Sequence, residues 1–101
     1  MPESNFIRYV ILLSVKPGQK PTEALIRDHV THLKELDKAG KYVMGGPFQD
    51  HSGGMLIVKA GSLEEARRIA EADPFIREGY ETCEVRTWEL SCAENNHMGM
   101  G

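Results

Sequence analysis

Several things are scarce in this chain of 101 residues, and each scarcity narrows what the protein does. Only two cysteines occur, Cys83 and Cys92. Neither sits in a spacing that holds zinc or a redox disulfide, and two thiols do not make a disulfide framework. No apolar run approaches the ~20 residues needed to cross a bilayer. Lysine and arginine total 12 against 15 aspartates and glutamates, giving a net charge of −3, and the basic residues form no run. A nucleic-acid partner calls for such a patch, so none is expected. The first residues show no basic stretch leading into an apolar one, which argues against a secretory leader and for a cytoplasmic address.

What is present is an ordinary globular mixture, 41% hydrophobic and 27% charged. The length suits one domain with a modest core. Pairing with a second copy is a standard way for a domain this small to bury more surface.

Residues 6–15 (FIRYVILLSV) carry the strongest strand signal, being rich in β-branched and aromatic side chains. Both faces of that strand are mainly apolar, Tyr9, Ile11, Leu13 and Val15 on one and Val10 and Leu12 on the other, so cover is expected on both sides. A loop at 16–21 precedes a helix over 22–39. At about 100° per residue, Leu25, Ile26, Val30, Leu33 and Leu36 gather in one stripe of that helix. Gly40 ends it. A second strand over 41–45 runs into Gly45-Gly46-Pro47, where Pro47 cannot donate to a central ladder. A glycine-containing turn follows, then a third strand over 55–60 in a hairpin with the second. Ser62-Leu-Glu-Glu65 is a capping box opening a helix over 63–72. Residues 75–79 read as a turn, 82–90 as a fourth strand, and the polar segment 91–101 as a tail that is mobile or draped on a partner.

The order β-α-β-β-α-β is that of a ferredoxin-like α+β sandwich, with two helices on one face of a four-stranded antiparallel sheet. The domain is assigned to 1–90 and the tail to 91–101. The doubly apolar strands predict a homodimer, packed back to back through the sheet face the helices leave open.

His29 falls inside the apolar stripe of the first helix, four residues after Leu25 and four before Leu33. A buried imidazole needs a partner. A backbone carbonyl would satisfy it, and so would a functional group. Asp73 projects from the apolar face of the second helix, four residues after Ile69. There it opposes the helix dipole and precedes Pro74, a poor position for local stability unless it receives hydrogen bonds from elsewhere. The topology turns His29 and Asp73 toward each other. A carboxylate on one ring nitrogen fixes the tautomer and leaves the other nitrogen to take or give a proton. The same pair also fits a purely structural role. His29 and His32 at i,i+3 supply two nitrogens for a metal, but no third ligand is identifiable, so neither metal nor cofactor is expected. His51 reads as a turn residue, Ser14 as a possible donor into a pocket, and Cys83 lacks an activating neighbour.

Arg27-Asp-His29 through Leu33-Lys-Glu-Leu36, Gly40-Lys41, Gly46-Pro47, Ala72-Asp-Pro-Phe75 with Gly79, and Val85-Arg-Thr-Trp88 resemble the YCII-related (YciI-like) proteins. The resemblance spans residues 6–90. It implies a dimeric α+β barrel of ferredoxin-like subunits with an active-site histidine–aspartate pair, here His29 and Asp73. One branch of the family resembles a dehydrochlorinase of chlorinated hydroxyhydroquinone, and muconolactone isomerases share the broader fold. The 16–21 loop and the tail depart from shorter members and leave the substrate open.

The expected function is cofactor-free acid–base catalysis on a small cyclic or aromatic molecule, by a lyase of the dehydrochlorinase kind or an isomerase. His29 and Asp73 would be catalytic, and Ser14, Gly46 and Pro47 would contact substrate. The alternative is a non-catalytic small-ligand-binding or accessory protein built on the same pocket. An RNA-binding module has the same element order but needs exposed aromatic and basic residues on its central strands, and residues 55–60 (MLIVKA) offer aliphatics instead.

Overall fold

The computed structural model describes residues 6–99. In chain order they form β1 (Ile7–Val15), α1 (Glu23–Lys38), β2 (Tyr42–Pro47), β3 (Gly54–Val58), α2 (Leu63–Glu71), α3 (Pro74–Arg77) and β4 (Glu81–Glu89). A single 3₁₀ turn, Ala93–Asn95, follows. The strands make one antiparallel sheet ordered β2-β3-β1-β4, the ferredoxin-like α+β arrangement.

Local chemistry sets the boundaries of α1. Thr22 is its N-cap, accepting from the Leu25 amide at 3.1 Å. At the other end Gly40 takes φ 75°, a conformation that costs glycine little. The Lys41 and Gly40 amides then close onto the carbonyls of Leu36 and Asp37, a Schellman stop. Ser62 caps α2 through the Glu65 amide, but the return contact differs from the expected box. Glu65 accepts from the Gly61 amide at 2.6 Å, one residue before the cap, and from Lys41 Nζ at 2.9 Å. Its second oxygen is thereby free to tie α2 to the end of α1.

The core lies between the helices and one sheet face, where Tyr9 and Ile11 of β1 and Leu56 and Val58 of β3 meet Leu36 of α1 and Ala66, Ile69 and Ala70 of α2. Ile11 and Val58 are fully buried. Each such side chain contributes roughly 1.5–3 kcal/mol by leaving water.

The apolar stripe of α1 is only partly used. Leu36 is buried, whereas Ile26 and Val30 remain exposed. The helix meets α3 and the edge strand β2, while α2 packs toward the opposite edge, over β4 and its neighbour β1. The early turns of α1 therefore border a cavity instead of a packed core.

Two further elements depart from expectation. Residues 74–77 are a helical turn, α3, with Asp73 as its N-cap and Pro74 in its first turn. Aspartate then proline is a favourable start for a helix, since proline lacks an amide that would go unpaired and the carboxylate accepts one that would. Asp73 is therefore well placed locally, as the start of α3 and not the frayed end of α2. The segment 91–101, expected to be mobile or draped on a partner, includes a hydrogen-bonded turn over residues 92–98. Asn95 accepts from the Cys92 amide and donates to the Leu90 carbonyl, each at 2.9 Å. Residues 1–5, 100 and 101 lie outside the described residues.

Candidate active site

His29, on the second turn of α1, places Nδ1 2.8 and 2.9 Å from the two carboxylate oxygens of Asp73. Asp73 is 2% exposed, and one of the same oxygens accepts the Phe75 amide at 2.9 Å. A carboxylate buried to that degree requires such partners. Phe75, two residues into the turn that Asp73 caps, stacks flat on the imidazole, with centroids 4.0 Å apart and planes 8° off parallel. Tyr80 closes on the edge of Phe75 at 4.8 Å. One local motif, Asp-Pro-Phe, thus supplies both the carboxylate that orients the ring and the aromatic that fixes its plane. With a carboxylate on Nδ1, the assigned tautomer has Nδ1–H donating and Nε2 carrying the free lone pair.

His29 forms part of the wall of a cavity of about 480 Å³. That volume lies within the ~300–1,000 Å³ usual for small-molecule sites. Ile26 and Leu33 continue the α1 wall, Leu13, Met55 and Leu56 come from the sheet, and Gly46 and Pro47 form part of the β2 side. The cavity depends on close backbone approach at the β2–β3 turn. Gly53 has φ 86°, and a Cβ there would sit 2.1 Å from the Leu13 carbonyl oxygen.

The site residues expected from sequence divide clearly. His29 and Asp73 are in direct contact, and Gly46 and Pro47 line the cavity. Ser14 does not join them. Leu13 faces the cavity, and strand alternation turns Ser14 to the opposite sheet face, where it is exposed beside Thr82 of β4. It is therefore corrected from a pocket donor to an open-face residue. His51 is an exposed turn residue bonded to the Ser52 carbonyl at 2.8 Å. His32 lies apart from the cavity lining, and no three His, Cys, Asp or Glu side chains cluster to hold a metal ion among the described residues. Burial, with added repulsion from Glu71 and Asp73, pushes the Cys83 thiol up, which disfavours a nucleophilic thiolate.

One lining residue has no signal in the sequence. Glu81, the first residue of β4, is 5% exposed on the cavity wall, and its Oε1 has no hydrogen-bond partner among the described residues. Burial pushes its carboxyl above the usual range; His29 opposes that shift and Asp73 adds to it. Alternation along β4 was the only available cue, and an isolated Glu-Thr pair at a strand start reads as surface.

Comparison with known proteins agrees with this architecture. Residues 7–89 match the YCII-related domain. The chain belongs to the YCII-related family. Among its relatives is the uncharacterized protein YjpA of Bacillus subtilis (strain 168), 32% identical over 82 residues that span 81% of this chain and 96% of YjpA. Among solved structures it is similar to 5-chloro-2-hydroxyhydroquinone dehydrochlorinase (TftG) from Burkholderia phenoliruptrix AC1100, determined in complex with 2,5-dihydroxybenzoquinone. That likeness has a TM-score of 0.67 at 25% identity, covering 87% of this chain and 98% of TftG. The matched range includes His29, Gly46, Pro47, Asp73 and Glu81.

Proposed function

We propose that this YCII-related protein is an acid–base enzyme acting on a small hydroxylated ring, with His29 as the proton acceptor and Asp73 as the residue that orients it. The observation that carries this reading is the placement of one carboxylate-bound, aromatic-stacked imidazole on the wall of an apolar cavity. Asp73 holds Nδ1, so Nε2 is the nitrogen available to remove a hydroxyl proton. Apolar walls around that nitrogen exclude water and strengthen each polar contact formed inside.

The substrate class follows from the lining and from the resemblance to TftG. No lysine or arginine lines the cavity among the described residues, so an uncharged phenol suits it better than a carboxylated lactone. A chlorinated hydroxyhydroquinone meets that requirement, and loss of hydrogen chloride from it needs no external oxidant. A dehydrochlorinase-type lyase is therefore the favoured activity, ahead of an isomerase. Two copies joined through the open sheet face would leave both cavities on the outer, helix-covered sides.

The test is turnover of 5-chloro-2-hydroxyhydroquinone and of related lactones by wild type beside His29→Ala and Asp73→Asn. Chloride release by wild type, reduced at least ~100-fold in both variants while they still unfold cooperatively, supports the reading. Full activity in a folded His29→Ala protein sinks it. Variants that lose stability, with no wild-type turnover, return the pair to a structural or ligand-anchoring role.

A further inference from the structure

A buried carboxyl with an unpartnered oxygen, on the wall that also holds His29, has no evident structural purpose. We infer that Glu81 is a second proton-transfer residue of this cavity, delivering a proton to a ring carbon while His29 takes one from a ring hydroxyl. The inference rests on the acid–base reading given above and extends it from one catalytic residue to two.

Geometry supplies the first support. Glu81 and His29 line the same cavity from different elements, β4 and α1, and Glu81 Oε1 is buried without a hydrogen-bond partner among the described residues. An apolar side chain or an amide would fill that position at lower cost than an acid. The titratable groups around Glu81 can be named element by element. α1 presents His29, the α2–α3 junction presents Asp73, β2 contributes the Tyr42 phenol to the same lining, and Cys83 lies two residues along β4. The β1 and β3 lining residues are Leu13, Gly54, Met55 and Leu56, none of them charged. Among the described residues no lysine or arginine is in the lining to hold Glu81 ionised, and Asp73 repels its charge. Burial therefore favours the neutral acid, which has a proton to give. Two carboxyl groups with different surroundings thus take different tasks, the bonded Asp73 as orienter and the unbonded Glu81 as acid.

The chemistry balances for a chlorinated benzenetriol. Nε2 of His29 removes the proton of a hydroxyl conjugated with the chlorine-bearing carbon. The ring electron pair moves to that carbon, which forms a C–H bond with the Glu81 proton and becomes tetrahedral. The Glu81 carboxylate then takes a second hydroxyl proton. The C–O bond becomes a carbonyl, the C–Cl bond breaks, and chloride leaves with the electron pair. The proton on His29 returns to solvent. Two hydroxyl protons are lost, one ends on carbon, and the net departure is hydrogen chloride. The carbon that lost chlorine is reduced as the ring becomes a hydroxyquinone, so no outside oxidant enters.

The experiment uses the full chain and 5-chloro-2-hydroxyhydroquinone, with Glu81→Gln and His29→Gln assayed beside wild type. Glu81→Gln keeps the size of the side chain and removes the transferable proton. The expected result is a fall in kcat of about 10²–10⁴-fold with little change in KM, and loss of the alkaline limb of the pH profile. In heavy water, wild-type product should carry deuterium at the carbon that held chlorine. Wild-type rates and an unchanged pH profile in Glu81→Gln, with activity abolished in His29→Gln, overturn the role of Glu81 and leave the base intact. No chloride release by wild type overturns both. A readout independent of turnover is the carboxyl carbon-13 resonance of Glu81 in wild type. A midpoint at the ordinary glutamate value, about 4.3, rules out a neutral acid and overturns the inference.

Discussion

The two faces of this one sheet use polarity in opposite ways. On the helix side, polar groups are buried among apolar walls: Asp73 is bonded to His29 and the Phe75 amide, and Glu81 is enclosed with one oxygen unbonded among the described residues. On the other side, large apolar groups are exposed. Met44 is 58% and Trp88 43% accessible, interleaved with Arg86, which pairs with Glu84. Both faces come from the same strands, one residue apart. Under the acid–base reading proposed above, a face that hides polar groups in an apolar cavity serves chemistry, because desolvation strengthens what is held there. A face that displays apolar side chains among ion pairs is suited to meeting another surface.

The largest effect expected from breaking this contrast is at His29. His29→Ala leaves Asp73 a buried carboxylate with one partner fewer, at a cost of about 3–5 kcal/mol, read by urea unfolding. An unchanged midpoint would mean that the pair is not the buried, coupled unit described. Asp73→Asn, which keeps an acceptor for the Phe75 amide, should lose less.

Glu81 sharpens the contrast with an effect of opposite sign. Its carboxyl is raised in the folded protein, so above the unfolded-state value the folded state binds the extra proton. Its contribution to stability is complete below the unfolded value and is lost as pH rises through the folded one. Glu81→Gln should therefore flatten the fall in melting temperature on that alkaline side and leave the variant at least as stable as wild type near neutrality. Thermal melts at a series of pH values decide it. A steeper fall in the variant would place the carboxyl outside the cavity.

A smaller effect, remote from both faces, sets the scale. Ser62→Ala removes the cap of α2 and should cost about 1 kcal/mol in chemical denaturation. The smallest belongs to the open face. Trp88→Glu should change monomer stability by no more than about 0.5 kcal/mol. If copies pair through this face, it should nonetheless shift the molecular mass seen by light scattering from dimer to monomer, while a Lys34→Glu control on an exposed site of α1 should not.

Much of this contrast was legible in the sequence, for identifiable reasons. The β1 strand, Gly40 after α1 and Ser62 before α2 are local signals with local causes, and the β2–β3 hairpin forms with β2 running on through Pro47. His29 stood out because an imidazole in an aliphatic stripe needs a partner, and the topology left Asp73 to provide one. What was hidden is what tertiary packing decides. Asp73-Pro74 has the form of a helix start, yet beside the end of α2 it also reads as a poor helix finish, and only the turn of α3 settles which. Ser14 sits on a strand apolar on both faces, so its direction depends on register. Glu81 lacks any motif, because its burial comes from tertiary packing around β4, which α2 and α3 contact. The unused half of the α1 stripe marks the cavity, a feature that periodicity alone reads as core.

The most direct test of the contrast is to ask which face takes up a ring ligand. Titrating 2,5-dihydroxybenzoquinone into the nitrogen-15-labelled protein, while following the His29 ring and the Trp88 indole by NMR, separates the two faces in one experiment. Saturable shifts of the His29 resonances, with the Trp88 indole unmoved, are the predicted result. Shifts at Trp88 with His29 unmoved would place the ligand on the open face and contradict the assignment of chemistry to the cavity.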